Sequence, residues 1–187
     1  LIKNYYKDNM IEITDLGNKS FYEHIKNKKN KLKYYKKLIE LLINVQEIKL
    51  KKYYFFKSKK IKFSKYSLSN LHKESDLFFD WYLKLLVKNK NLKKIKKILK
   101  NELDNIYKKL YFKNIYFTHR DFHASNVMLT NKKLSIIDSQ DAIIGNPMYD
   151  VASLIDDVRI KLSKNLQDDL IKYYVNKSKF KIQDQTY

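Results

Sequence analysis

The sequence predicts an α+β chain, mostly helical, with short β-hairpins at its start and around one polar loop. Apolar residues recur at helical spacing over three long stretches between residues 32 and 110. Short runs rich in Ile, Val, Tyr and Phe, bounded by turn residues, occur at 1–14 and 115–137. Hydrophobic residues make up 44% of the 187, with 16 Tyr and 10 Phe, which is enough to build a core. Cysteine is absent, which excludes a disulfide frame, a thiolate metal site and a thiol nucleophile.

The elements follow in order. Leu1–Tyr6 and Met10–Thr14 read as strands around the turn residues Lys7, Asp8 and Asn9. A lone hairpin is marginal, so further strands are expected before it and the chain reads as an N-terminally truncated fragment. Asp15–Leu16–Gly17–Asn18 is a turn, and Ser20 or Asn18 caps the helix that follows, with Glu23 three residues after Ser20. Leu32, Tyr35, Leu38, Ile39, Leu42 and Val45 mark one helix. Residues 50–70 show no periodicity and read as an aromatic-rich connection. A second helix is expected over Leu71–Val87, with Leu77, Phe78, Trp81, Leu85 and Leu86 facing the core, and a third over Leu92–Leu110. Ile115–Thr118, Val127–Thr130 and Leu134–Ile137 read as strands, the last two joined by the turn Asn131–Lys133. Pro147 precedes a helix over Tyr149–Ile160, and a last one covers Lys164–Val175.

The formal charge is +20, yet it is unevenly placed. Residues 24–116 alone carry net +20, while residues 117–160 carry net −2. Of 40 basic residues only Arg120 and Arg159 are arginine, whereas phosphate- and base-reading surfaces favour the arginine fork. Lys, Asn, Ile, Tyr and Phe share A/T-rich codons, so the lysines read as a coding bias on solvated faces. A basic nucleic-acid-binding module is the alternative, but nucleic acid is not the expected partner. No apolar run approaches a membrane span and no signal peptide is visible, so a cytoplasmic protein without membrane contact is expected.

The chemistry gathers in this acidic segment. His119–Arg120–Asp121 is followed, after four residues, by Asn126, and a short hairpin separates Asn126 from Asp138. A loop carboxylate such as Asp121 can accept the proton of a substrate hydroxyl. Asn126 at the start of one strand and Asp138 at the end of its partner bring two oxygen donors together, a set suited to Mg²⁺. Each residue alone has an ordinary structural explanation; the three together at this spacing point to phosphoryl transfer. His119 reads as structural. Arg120 reads as a fork that pairs with a carboxylate. His123 either faces the phosphate or substrate, or orients the loop.

These residues, with Ile137–Ala142 and Gly145–Leu154, resemble the aminoglycoside phosphotransferase and choline kinase superfamily, whose fold is protein-kinase-like. Gln140–Asp141–Ala142 and Trp81–Tyr82 are most similar to its branch of cell-wall sugar kinases, which act on N-acetylmuramate and N-acetylglucosamine at the anomeric hydroxyl. Ile11–Gly17 and Glu74–Tyr82 are weaker matches. The resemblance implies ATP and Mg²⁺ as cofactors and a small hydroxyl-bearing acceptor, an amino sugar first. Aminoglycosides, choline-like alcohols and homoserine are the other acceptors, and an inactive pseudokinase is a further reading because Ser139 stands where the family carries an aromatic residue.

By the same resemblance Asp121 is the catalytic base and Asn126 and Asp138 are the metal ligands. Residues 1–16 would be a remnant of the small lobe with its hinge, and 17–187 the helical catalytic lobe. Ile13, Asp15 and Leu16 would meet the adenine edge. Met128 would lie beneath the adenine or pack in the core. Gln140 and Asp141 would orient substrate or metal. Asp150 would cap a helix or support the catalytic loop. Glu74, Asp76 and Asp80 would face the sugar or remain solvated. The lysine that grips the phosphates in the family has no counterpart here and no glycine-rich loop is present, so the 187 residues alone are expected to be inactive.

Overall fold

A computed structural model describes residues 2–56, 58–87, 89–109, 114–131 and 133–178, without the side chains of Phe56 and Asn89. Leu1, Leu110, Lys132 and the residues after 178, which several expectations include, lie outside the described residues.

Two short antiparallel strands, β1 (Lys3–Tyr5) and β2 (Met10–Glu12), form the opening hairpin, with Lys3 opposite Glu12 and Tyr5 opposite Met10. Asn9 turns the chain at φ 55°, a left-handed conformation that Asn tolerates. Helix α1 (Phe21–Ile25) begins as expected at Ser20, whose hydroxyl accepts the Glu23 amide at 3.4 Å. Helix α2 (Leu32–Gln46) buries Tyr35, Leu38, Ile39, Leu42, Ile43 and Gln46, one face at spacings of three and four. Gln46 belongs to that face because both ends of its amide are hydrogen-bonded. Its Nε2 donates to the Pro147 carbonyl at 2.8 Å, and its Oε1 accepts the Tyr174 hydroxyl at 2.7 Å. Val45, expected on the buried face, is only half-buried.

The segment read as an aromatic-rich connection contains a hairpin, β3 (Tyr54–Phe56) and β4 (Lys59–Ile61). Ser58 in its turn takes φ 66°. The turn carries none of the Gly or Asn signals that announce such a conformation, which is why the sequence did not reveal it.

Helix α3 (Leu68–Leu77) runs into a π-helical segment at Phe78–Tyr82 and then α4 (Leu83–Leu86). The Leu83 amide reaches back five residues to the Phe78 carbonyl. A stripe read at 3.6 residues per turn does not survive such a segment. The expected core residues Leu77, Phe78, Trp81, Leu85 and Leu86 are therefore exposed, Trp81 by 74%. Phe79 and Leu83 are buried instead, at 1% and 3% exposure. Helix α5 (Asn89–Lys109) lies along this element through ion pairs of Lys96 with Asp80 and Lys100 with Asp76. Both ammonium groups sit near the Phe79 ring, 5.9 and 5.5 Å from its centroid. The stripe of α5 is no more than half-buried, and Ile106 is exposed.

Strand β5 (Tyr116–Thr118) leads into the polar loop and pairs with β8 (Ile143–Gly145), a strand the sequence did not announce. A single 3₁₀ turn, Ala124–Asn126, leads into β6 (Val127–Thr130), which pairs with β7 (Lys133–Ile136) in the expected hairpin. Helix α6 (Met148–Ile155) is shorter than expected. Two acidic residues, Asp156 and Asp157, meet its C-terminal end, where the helix dipole disfavours them. The Asp157 carboxylate accepts the Arg159 amide at 3.1 Å and closes a turn there. Helix α7 (Lys164–Lys177) starts at Ser163, which accepts the Leu166 amide. Helices α2, α6 and α7 share one core with Phe122, Ala124 and Val127 of the polar loop and its exit. The loop is thus bolted to the most buried part of the molecule. Among the described residues no helix is long and apolar enough to cross a membrane.

Candidate active site

The polar loop between β5 and β6 is held from behind by a buried carboxylate. Asp150, fully buried on α6, accepts the His119 amide at 2.8 Å and the Arg120 amide at 2.9 Å. Of the two readings of Asp150, support of the loop is the one the hydrogen bonds describe. The helix start is capped by Asn146, whose Oδ1 accepts the Met148 amide at 2.8 Å. Burial pushes the Asp150 carboxyl from 3.8 up to about 6, although the two amide bonds pull it down.

His119 is a structural residue, as expected. It is 1% exposed, its Nε2 donates to the Ile137 carbonyl at 3.0 Å, and its ring meets Phe122 edge-on. This bond ties the loop to the end of β7. Arg120 takes φ 74°. A long side chain in the left-handed region costs roughly 1–3 kcal/mol and persists only where its surroundings hold it.

Asp121 points outward, 57% exposed at its side chain, with the 7% exposed His123 beside it. His123 Nε2 lies 3.0 Å from Asp121 Oδ1, close enough for an ion pair but off the angle of a hydrogen bond. His123 Nδ1 is buried without a hydrogen-bond partner. The buried imidazole therefore backs the carboxylate. The Asn126 amide nitrogen donates to the Asp121 carbonyl at 2.9 Å and to Asp121 Oδ2 at 3.0 Å. This turns the amide oxygen of Asn126 away from the carboxylate. The Asn126 carbonyl accepts the Ile137 amide at 3.0 Å, which sets Asp138 beside Asn126 at the mouth of the β6–β7 hairpin. Asp138 takes φ 67° and is exposed.

Among the described residues no group of three or more His, Cys, Asp and Glu is placed to hold a metal ion. Asn126 and Asp138 offer one amide oxygen and one carboxylate. Mg²⁺ binds through one or two protein oxygens and completes its shell with water and phosphate, so this donor set fits it.

The remaining expected residues fall into three groups. Leu16 and Met128 come together: the Leu16 carbonyl accepts the Thr130 hydroxyl at 2.8 Å, and Ser20 bridges to Met128. Met128 is 8% exposed at the base of that junction. Asp15 closes its own turn by accepting the Gly17 amide at 2.8 Å, and Ile13 is exposed. Gln140 and Asp141 are exposed in a turn between β7 and β8, closed by the Ala142 amide and the Ser139 carbonyl.

The third group is the acidic face of α3 and the π segment. Glu74 binds Arg120, with Oε1 accepting Nη2 at 3.0 Å, and its Oε2 accepts the Tyr66 hydroxyl at 2.6 Å. Asp76 pairs with Lys100 and Asp80 with Lys96. Each of these three carboxylates, expected to face a sugar or water, already has a cationic partner. Sequence reasoning found a carboxylate partner for Arg120 but not which one, since 46 residues separate the pair. It missed Thr130 and Tyr66 entirely: one threonine in a strand and one of 16 tyrosines carry no local signal.

The chain is 24% identical over 169 residues to a protein of Neisseria meningitidis serogroup B (strain ATCC BAA-335 / MC58) named N-acetylmuramate/N-acetylglucosamine kinase. That match covers 90% of the chain and 49% of the relative, so the chain spans about half the relative's length. The profile of the phosphotransferase enzyme family matches residues 13–181, which include the loop, the hairpin and Asp150. The chain belongs to the phosphotransferase enzyme family.

Proposed function

We propose that this chain forms the larger, helical lobe of an ATP-dependent kinase that phosphorylates a hydroxyl of an amino sugar, with residues 1–16 as the hinge side of a smaller lobe. The observation that carries the reading is the grouping of Asp121, Asn126 and Asp138, fixed by the Asn126 bonds to Asp121 and by the Ile137 amide. In the transfer the acceptor oxygen forms a bond to the γ-phosphorus as the bond from that phosphorus to the ADP oxygen breaks. Asp121 takes the hydroxyl proton. Asn126 and Asp138 would hold Mg²⁺, which when bound would neutralise charge on the phosphates. Leu16 and Met128 supply the adenine side, and His123 keeps Asp121 in place. Gln140 and Asp141 lie at the open mouth, where they meet acceptor or phosphate.

Two observations favour a non-cationic N-acetylated amino sugar over a cationic acceptor such as an aminoglycoside or choline. The named relative is an amino-sugar kinase. The carboxylates of Glu74, Asp76 and Asp80 are already paired with Arg120, Lys100 and Lys96, which leaves no free acidic wall there. The test is a panel of acceptors offered with [γ-³²P]ATP and Mg²⁺ to the full-length protein. Label on N-acetylated amino sugars, and none on aminoglycosides or choline, supports the reading. Label on a cationic acceptor alone refutes it.

A further inference from the structure

We infer that Tyr66 and Glu74 are positioning residues that hold Arg120, and through it Asp121, in the geometry of the proposed phosphoryl transfer; this rests on the functional reading above. Arg120 is the residue directly before Asp121, and it sits at φ 74°. Long side chains leave that region unless they are restrained. Two of the restraints on Arg120 are hydrogen bonds to carboxylates. Asp150 takes the Arg120 amide at 2.9 Å from the α6 side. Glu74 takes the guanidinium at 3.0 Å from the α3 side.

Glu74 is itself fixed. Its second oxygen accepts the Tyr66 hydroxyl at 2.6 Å, so both oxygens are engaged within the protein. Tyr66 is 4% exposed and is pinned at its backbone. Its amide donates to the Ile144 carbonyl at 2.9 Å, and its carbonyl accepts Asn114 Nδ2 at 2.5 Å. Ile144 belongs to β8, the partner of the strand that delivers the loop. The Tyr66 ring also meets Tyr149, the neighbour of Asp150, edge-on at 5.4 Å. Tyr66, Glu74 and Arg120 thus close a ring of contacts that starts and ends on the β5–β8 pair. Arg120 Nε is buried without a hydrogen-bond partner, so the guanidinium is held through Glu74, with the Tyr149 hydroxyl also beside it.

Glycine adopts φ 74° without strain, which gives a direct test. In the full-length protein, Glu74→Gln and the milder Tyr66→Phe should each lower kcat by ~10- to 100-fold, the scale of a small misplacement of a catalytic group, with KM for ATP and acceptor unchanged. In an Arg120→Gly background, Glu74→Gln should bring no further loss, because the residue it restrains is gone. A rise in acceptor KM with kcat unchanged would overturn the inference and make Glu74 an acceptor contact. An equal fold-loss in both backgrounds would overturn it too. Hydrogen exchange of the Arg120 amide is read alongside. Faster exchange in Glu74→Gln supports the restraint even if the protein phosphorylates none of the acceptors offered, and unchanged exchange there counts against it.

Discussion

Gly145 offers a sharp test of how the loop is seated. It is the last residue of β8 and lies opposite Tyr116 in β5. A Cβ added there would stand 2.7 Å from Thr118 Oγ1 and 3.1 Å from Thr118 Cβ. Thr118 is fully buried and short, so it has no flexible end to swing aside. The next residue is His119, so the displacement passes straight into the polar loop. Gly145→Ala should therefore destabilise by ~1–3 kcal/mol, the usual range for an extra carbon forced into a packed site. For a chain of this size that corresponds to a fall in Tm of about 2–12 °C. Thermal unfolding followed by circular dichroism reads this. The second arm is Thr118→Ala, which removes Oγ1 and leaves only the Cβ contact. The double variant should be more stable than the sum of the single effects by ~1 kcal/mol or more. An unchanged Tm in Gly145→Ala, or strict additivity in the double variant, would refute the reasoning.

Two further predictions use stability alone. Phe79→Ala should cost ~3–5 kcal/mol as a buried aromatic truncation, whereas Trp81→Ala should stay within ~0.5 kcal/mol as a surface change; chemical denaturation of the two variants checks this, and the reverse order would contradict the π segment. The folded value of about 6 for Asp150 lies above the unfolded 3.8, so its stabilising contribution is complete below pH 3.8 and is lost as the pH rises through about 6. At ~1.4 kcal/mol per unit the loss is about 3 kcal/mol. Asp150→Asn does not titrate, so unfolding free energies across pH 3–7 should show the wild type falling relative to that variant; parallel profiles would contradict the assignment.

Much of the fold was legible because it rests on local patterns. The α2 face, the Ser20 cap and the β6–β7 hairpin each announce themselves through periodicity or turn chemistry. The candidate site was legible for a similar reason, since Asp121, Asn126 and Asp138 lie within one loop and one hairpin. The rest depends on long-range partners. Trp81 and Leu85 fit a helical stripe, and only the i+5 bond at Phe78 shows that the stripe runs off the buried face. Glu74 looked like any carboxylate on a helix until Arg120 and Tyr66 met it. Strand β8 is three residues long and exists because β5 lies next to it. The lysines read as solvated faces in the sequence. Lys96 and Lys100 instead pair α5 with Asp80 of the π segment and Asp76 of α3, and the net −2 of residues 117–160 comes from the residues after the hairpin.

The most direct test of the central claim is Asp121→Ala in the full-length protein, with phosphoryl transfer from ATP and binding of Mg·ATP measured side by side. Asp121 is exposed at the loop and bonded by Asn126, so its removal leaves the buried frame of His119 and Asp150 standing. The account predicts that transfer to the acceptor is abolished while Mg·ATP binding is nearly unchanged. Transfer at the wild-type rate in that variant would contradict it.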